Sequence, residues 1–252
     1  VIRLKTPEDV ALIRESAQIV GRCLEMLAAK VKPGVSTMDL DRMAEEFIRD
    51  AGGEPAFKGY KGYPASICAS VNEEVVHGIP SPNRVLGDGD VVSIDIGVRK
   101  NGWYGDAART VPVGKIDADA TRLLEATERA LWKGIEQARP GGRLSDISAA
   151  IEHEAKRNGF TVVRALVGHG IGRALHEEPQ VPNYGRPGEG PRLQTGMVLA
   201  IEPMVNAGVA DVVTLNDQWT VVTADRKLSA HFEHTVAIGA DGPEVLSRVG
   251  SD

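Results

Sequence analysis

The sequence predicts an α+β fold with a pseudo-twofold duplication, two halves each ordered helix, helix, then strands. Three observations predict it. The first is self-similarity at one offset: Pro33-Gly34 recurs as Pro140-Gly141, Asp39 as Asp146, Gly52 as Gly159, Gly89 as Gly196 and Ile94 as Ile201, always 107 positions on. Chance matches among plentiful Gly and Pro would scatter over many offsets, whereas these share one. The second is that GDVVSIDIGV and GMVLAIEPMV are two versions of one strand, with Asp95 and Glu202 at the matched place (202 − 95 = 107). The third is the order of helical and β periodicities, which the second half replays. The expectation is a single domain over 1–252, with halves at about 1–113 and 114–252 and a site where they meet.

Each element has a local cause. Thr6 is placed to cap a helix, with Pro7 in its first turn and Asp9 closing a capping box. Val10, Ile13, Ala17, Val20, Leu24 and Leu27 then recur in steps of three and four, an amphipathic stripe. Lys32-Pro33-Gly34 ends that helix, and a second starts near Ser36-Thr37 and stops at Gly52-Gly53. The β-rich runs ASICASV, DVVSIDIGV and WYGDAARTVPV follow. In the second half a helix spans about Asp117 to Ala138, and another runs from the Pro140-Gly141 break to about Asn158. The strands FTVVRALV, MVLAIEPMV, QWTVVTA and HFEHTVAIG come after them.

Composition narrows the function. With 252 residues, 42% hydrophobic and 25% charged, the chain is an ordinary globular one. Its net charge is 29 − 35 = −6, with no run of five like charges, which argues against a protein that reads a nucleic-acid backbone. Cys23 and Cys68 form neither a CxxC motif nor a disulfide framework. The start VIRLKTPEDV has no apolar signal core, and no stretch approaches a membrane span. A cytoplasmic location with no membrane contact is expected.

Five residues carry the chemistry: Asp95, Asp106, His169, Glu202 and Glu233. A carboxylate moved into low dielectric must be protonated, paired or metal-bound. Four carboxylates and an imidazole without an accompanying Arg or Lys suit a two-metal hydrolytic site. Asn101-Gly102 is a two-residue hairpin signal, and across such a turn an odd and an even position share a face. Asp95 and Asp106 therefore converge rather than standing as solvent-facing acids. Glu202 sits in the apolar run MVLAIEPMV, and Glu233 is expected in a strand where His231, Glu233 and Thr235 alternate against Phe232 and His234. For each glutamate alone a structural ion pair is the competing reading. His169 lies in GHGIG, whose glycines permit close backbone approach. His77 in VVHGIP and His176 in ALHEEP are candidates for proton handling. His153, among Glu152, Glu154 and Lys156, reads as surface, while His231 and His234 flank a proposed ligand with either role open.

At GYKGYPASICASVNEEVVHGIP, GDVVSIDIGV, GWYGDAART, GHGIGRALHEEP, GMVLAIEPM and SAHFEHT, the chain resembles the bacterial type I methionine aminopeptidases. These share the pita-bread fold, built around a central antiparallel sheet, with prolidases and creatinase. The resemblance spans nearly the whole chain. It implies that Asp95, Asp106, His169, Glu202 and Glu233 are dinuclear metal ligands, with Asp106 and Glu233 bridging. It implies that His77, His176 and Glu202 are catalytic, and that Tyr60, Tyr63, Cys68 and Trp219 line or border a methionine pocket with Leu175, while His77 and His176 also contact substrate. Three departures stand out: Leu175 where many relatives carry an aromatic, Phe57 where some have cysteine, and His231 where glutamine is common.

The function implied is excision of N-terminal methionine from nascent chains at the ribosome by a hydroxide bridging the two ions, with a small second residue preferred. Iron, manganese, cobalt and zinc all accept such a donor set, and a monomer is expected. Two other readings are kept: a Xaa-Pro aminopeptidase or prolidase, whose extra N-terminal domain finds no room before the first repeat, and a non-catalytic peptide- or ribosome-binding relative, which would have lost ligands.

Overall fold

The structure, a computed structural model, describes residues 1–250; the last two positions of the expected 1–252 domain lie outside them. Helix α1 (Pro7–Ala28) begins with the expected reciprocal cap, the Thr6 hydroxyl accepting from the Asp9 N–H and the Asp9 carboxylate from the Thr6 N–H. Helix α2 (Thr37–Asp50) repeats this device with Ser36 and Asp39. Helix α3 (Ala118–Gln137) is capped by Asp117, and α4 (Leu144–Arg157) starts where the Asp146 carboxylate accepts from the Arg143 N–H at 2.8 Å. The sequence offset recurs in the backbone. Gly34 and Gly141 both have φ 90°, and Gly89 and Gly196 have φ 92° and 90°, a conformation that a side chain disfavours. The lone bridge Ser36–Val85 is matched by Arg143–Arg192, each position 107 further on.

The first-half strands are β1 (Glu54–Pro55), β2 (Cys68–Val71), β3 (Glu74–Val76), β4 (Val91–Lys100) and β5 (Trp103–Pro112). Strands β4 and β5 form one long hairpin across Asn101 (φ 53°) and Gly102 (φ 79°), with Asp95 opposite Ala108 and Gly97 opposite Asp106. That register puts both aspartates on one face, as their parity predicts. The second half carries β6 (Thr161–Val162), β7 (Val167–Gly170), β8 (Glu177–Pro182), β9 (Val198–Ile201), β10 (Met204–Asn206), β11 (Val212–Thr214), β12 (Val221–Thr223), β13 (Ser229–His231), β14 (His234–Ile238) and β15 (Pro243–Val245). Here the hairpin is duplicated in register. The pair Ile94–Arg109 becomes Ile201–His234, and Gly97–Asp106 becomes Met204–His231. The first strand shifts by 107 and the second by 125. The second half therefore has 18 more residues between them (125 − 107), where β11 and β12 replace the tight turn.

Three runs expected as continuous strands are broken. FTVVRALV divides into β6 and β7, MVLAIEPMV into β9 and β10 at Glu202-Pro203, and HFEHTVAIG into β13 and β14 at Phe232-Glu233. Proline has no N–H for the ladder, so the duplicated hairpin changes sheets there. β9 and β14 belong to the order β15-β14-β9-β7-β8, β10 and β13 to β13-β10-β6. Glu233 is thus not within a strand, although the expected alternation survives the break. Two other runs are strands only in part: ASICASV from Cys68 onward, and QWTVVTA from Val221, leaving Trp219 in the preceding turn.

The halves join where β5 meets residues 231–235. The Glu233 N–H donates to the Ala108 carbonyl at 2.9 Å and the Ala108 N–H to the Glu233 carbonyl at 3.4 Å. On either side a threonine hydroxyl clamps the backbone of the opposite half. Thr235 Oγ1 accepts from the Asp106 N–H (3.0 Å) and donates to its carbonyl (2.7 Å). Thr110 Oγ1 does the same for His231 at 2.8 and 2.9 Å. Separate apolar clusters fill each half: Ile19, Leu27, Leu40, Ile48, Ile94 and Ile96 in the first, and Leu123, Leu131, Ile147, Ile151, Leu199 and Val236 in the second. A third, including Ile13, Phe57, Tyr63, Leu175 and Trp219, packs beside the join.

Candidate active site

The hairpin duplication brings the predicted acids together. Asp95 comes from β4, Asp106 from β5, His169 from β7, Glu202 from the break after β9 and Glu233 from the break before β14. All five face one cavity of about 190 Å³. Asp106, His169 and Glu233 are buried, while Asp95 and Glu202 are half-buried at the cavity wall. The donor atoms of Asp106, His169 and Glu233 lie within 4.8 Å of one another, and so do those of Glu202, His231 and Glu233. Glu233 thus belongs to two triads. Asp95 stands outside both, beside the Asp106 carboxyl.

The electrostatics call for a cation. Burial pushes the pKa of each of the four carboxyls upward, and mutual repulsion adds to this for Asp95, Asp106 and Glu233. Among the described residues their ion-pair partners are two imidazoles, His169 and His231, with no Arg or Lys. Asp95 Oδ1, Asp106 Oδ1, Glu233 Oε1 and both His231 ring nitrogens are buried without a hydrogen-bond partner. Orphaned atoms of this kind need an explanation, and divalent cations supply one. His169 is prepared as a ligand. Its Nδ1 donates to the Gly170 carbonyl at 2.9 Å, which leaves the Nε2 lone pair 3.5 Å from Glu202 Oε1 and 3.9 Å from Asp106 Oδ2. The glycines around it serve the sheet rather than the ion: a side chain on Gly168 would meet the Ala200 carbonyl, and one on Gly170 the Glu178 carbonyl.

The remaining predicted residues line the same cavity: Tyr60, Tyr63, Cys68, His77, Leu175, His176 and Trp219, with Phe57 and Lys61. Tyr63 donates to the Ile67 and Gly78 carbonyls (3.0 and 3.1 Å) and meets the Trp219 ring edge-on at 5.0 Å. Cys68 is a buried free thiol. His77 sits at φ 60°, strained for a non-glycine residue, with its pKa pushed down to about 4 by burial and then by His231. His176 is at the mouth, its Nδ1 2.9 Å from the Tyr60 hydroxyl and its ring 4.2 Å from that of His169. The turn before it is fixed by Glu177, which accepts from the Arg173 and Ala174 N–H groups and pairs with Lys5 at 2.7 Å. A second cavity, about 210 Å³, adjoins on the far side of His77, Asp95, His176 and Glu202 and is walled by Ala165, Leu166, Val167 and Met204.

His231, whose role the sequence left open, reaches the acid cluster, as its period-2 alternation with Glu233 allows. Lys61, at φ 48° on the rim, left no signal in the sequence. His153 is surface, as expected, while His234 turns away from the site to bond Ser247 Oγ at 2.8 Å. It lines a larger cavity, about 410 Å³, between α1, α3 and the C-terminal segment, whose charged residues are exposed and which holds none of the clustered donors.

The sequence model of metallopeptidase family M24 matches residues 11–240. The chain belongs to that family. Within it, the chain is 56% identical to methionine aminopeptidase 1 of Bacillus subtilis, over 97% of this chain and 98% of that one. It is 55% identical to the methionine aminopeptidase of Clostridium perfringens, over 98% and 99%. The crystal structure of the Thermotoga maritima methionine aminopeptidase superposes with a TM-score of 0.98 at 44% identity, covering 99% of this chain and all of that one. The pita-bread fold expected from the resemblance is therefore the fold of the chain.

Proposed function

We propose that the chain is a methionyl aminopeptidase that removes N-terminal methionine from nascent polypeptides, using two divalent metal ions held by Asp95, Asp106, His169, Glu202 and Glu233. The observation that carries this reading is the cluster of partnerless buried carboxylate oxygens opening into an apolar, aromatic and thiol-lined cavity. When bound, the ions supply a polarised carbonyl and a water of lowered pKa. Iron, manganese, cobalt and zinc all fit one imidazole among carboxylates. Glu233, common to both donor triads, would be shared between the ions, and Asp106, adjacent to Asp95, would be the second shared ligand.

The side chains do the rest. Tyr63, Cys68, Leu175 and Trp219 accept an unbranched thioether, and the adjoining cavity walled by Ala165 and Val167 takes the second residue; that this residue is small is what the family resemblance implies. His77, neutral at working pH, holds the scissile amide. His176, oriented by Tyr60, donates to the carbonyl oxygen as charge develops. Glu202, beside both imidazoles, moves a proton from the attacking water to the leaving amine. We place this activity in the cytosol, near the ribosome, in a monomer of one domain with halves at 1–113 and 114–252.

A panel of matched tripeptides tests the reading. Met-Ala-Ser should be cleaved best, norleucyl-Ala-Ser nearly as well and Leu-Ala-Ser poorly, since one misplaced methylene is worth about 1–3 kcal/mol in such a pocket. Formyl-Met-Ala-Ser should be inert, because formylation removes the free amine lone pair that a bound ion would take. Comparable cleavage of the formylated peptide, or faster release before proline than before alanine, rejects the assignment in favour of a prolidase-like activity.

A further inference from the structure

We infer that His231 is a sixth protein ligand of the metal site, its Nε2 coordinating at the side formed by Glu202 and Glu233. This rests on the metal reading above and adds a donor to it. The duplicated hairpin is the first ground. His231 lies opposite Met204 as Asp106 lies opposite Gly97, and Met204 is Gly97 shifted by the repeat offset. Each of the two has its backbone N–H and carbonyl held by a threonine hydroxyl from the other half, Asp106 by Thr235 and His231 by Thr110. His231 therefore occupies, in the second half, the place that a ligand occupies in the first. Asp95 with Asp106, and Glu202 with His231, are matched pairs.

The second ground is the ring itself. His231 is 1% exposed, and neither ring nitrogen has a hydrogen-bond partner. An imidazole sealed from water with both nitrogens idle is costly unless something binds it. Its Nε2 is 3.6 Å from Glu202 Oε2, while His169 Nε2 is 3.5 Å from Glu202 Oε1, so an imidazole faces each oxygen of that carboxylate. A separation of 3.6 Å is too long for a hydrogen bond. It is close to the ~3.0–3.5 Å between two donors that each stand ~2.1 Å from one ion. A second nitrogen also changes selectivity, favouring iron, cobalt or zinc over manganese and magnesium.

The test counts bonds rather than turnover. Protein labelled with [15N]histidine and loaded with two equivalents of 113Cd(II) should show 113Cd–15N scalar coupling at two imidazole nitrogens. His231→Gln should retain one. Losing even a partner outside the coordination sphere costs about 10–100-fold in metal affinity, so calorimetry should find one ion bound at least ~10-fold more weakly in that variant. The count in the unmodified protein is decisive even if the variant does not fold. Two ions bound with one coupled nitrogen would make His231 a positioning residue on Glu202 and overturn the inference, leaving the metal reading intact. No uptake of ions would overturn both.

Discussion

At the scale of single residues, the site separates groups that hold cations from groups that handle substrate. His77 and His176 line the cavity yet belong to neither donor triad. Replacing His176 with Ala should leave metal content unchanged and lower kcat by about 10²-fold or more, the usual cost of a lost proton-handling or oxyanion group. For His77, asparagine is the better probe, because it tolerates the positive φ that this position requires, and the same split is expected. Metal analysis beside steady-state kinetics checks both. Loss of metal in step with activity, at constant turnover per ion, would move either histidine into the ligand set.

At the scale of elements, α2 is tied to the loop that carries the pocket wall. Glu45 accepts from Lys58 (2.7 Å), Arg49 (2.8 Å) and the Ser66 hydroxyl (3.0 Å). The Lys58 and Arg49 hydrogen bonds, aided by Ser66, hold its pKa down to about 2, against about 4.3 in an unfolded chain. A depressed carboxyl pKa contributes stability that is present above about pH 4.3 and is lost as pH falls through about 2. Lys58 and Arg49 are half exposed, and solvent screening limits the contribution to about 1 kcal/mol. Denaturation midpoints of wild type and Glu45→Gln should differ by this much at pH 7 and converge towards pH 2. A difference that persists unchanged at pH 2 would show that the ion pairs are not its source.

At the scale of the whole molecule, the two halves are held together at the site they share. Thr235→Val keeps the shape of the side chain and removes both hydrogen bonds to the Asp106 backbone. Unfolding should become easier by about 1–3 kcal/mol, with weaker metal binding, because Asp106 and Glu233 lose their common frame. Thermal melts and metal titration measure the two effects. Ions themselves should act on the whole fold. At a free concentration 100-fold above Kd, a bound ion stabilises by about 2.7 kcal/mol, or roughly 5–10 °C in a chain of this size. A melting temperature indifferent to chelator would contradict a site whose carboxylates need neutralising.

Helix starts and stops were readable in the sequence because caps act locally: Thr6, Ser36 and Asp117 each bind a backbone N–H three residues away. The shared face of Asp95 and Asp106 was readable because Asn101-Gly102 fixes the register and alternation does the rest. The repeat offset likewise revealed the duplication, since glycines at positive φ leave a mark in any copy. Other features had no local signal. The sheet change at Glu202-Pro203 depends on which strands compete for the freed backbone, and the 18-residue expansion conceals that β13 and β14 copy β5. Strand β8, with Pro179 and Pro182 inside it, reads as loop until its neighbour β7 is in place. The sequence alone determined which donors this chain possesses and which lie on one face of a strand. The tertiary structure alone decided that His231 stands beside them, because the meeting of the halves is made by hydroxyl clamps between residues 129 and 121 positions apart (Thr235 with Asp106 and Thr110 with His231), a distance over which no local periodicity carries information.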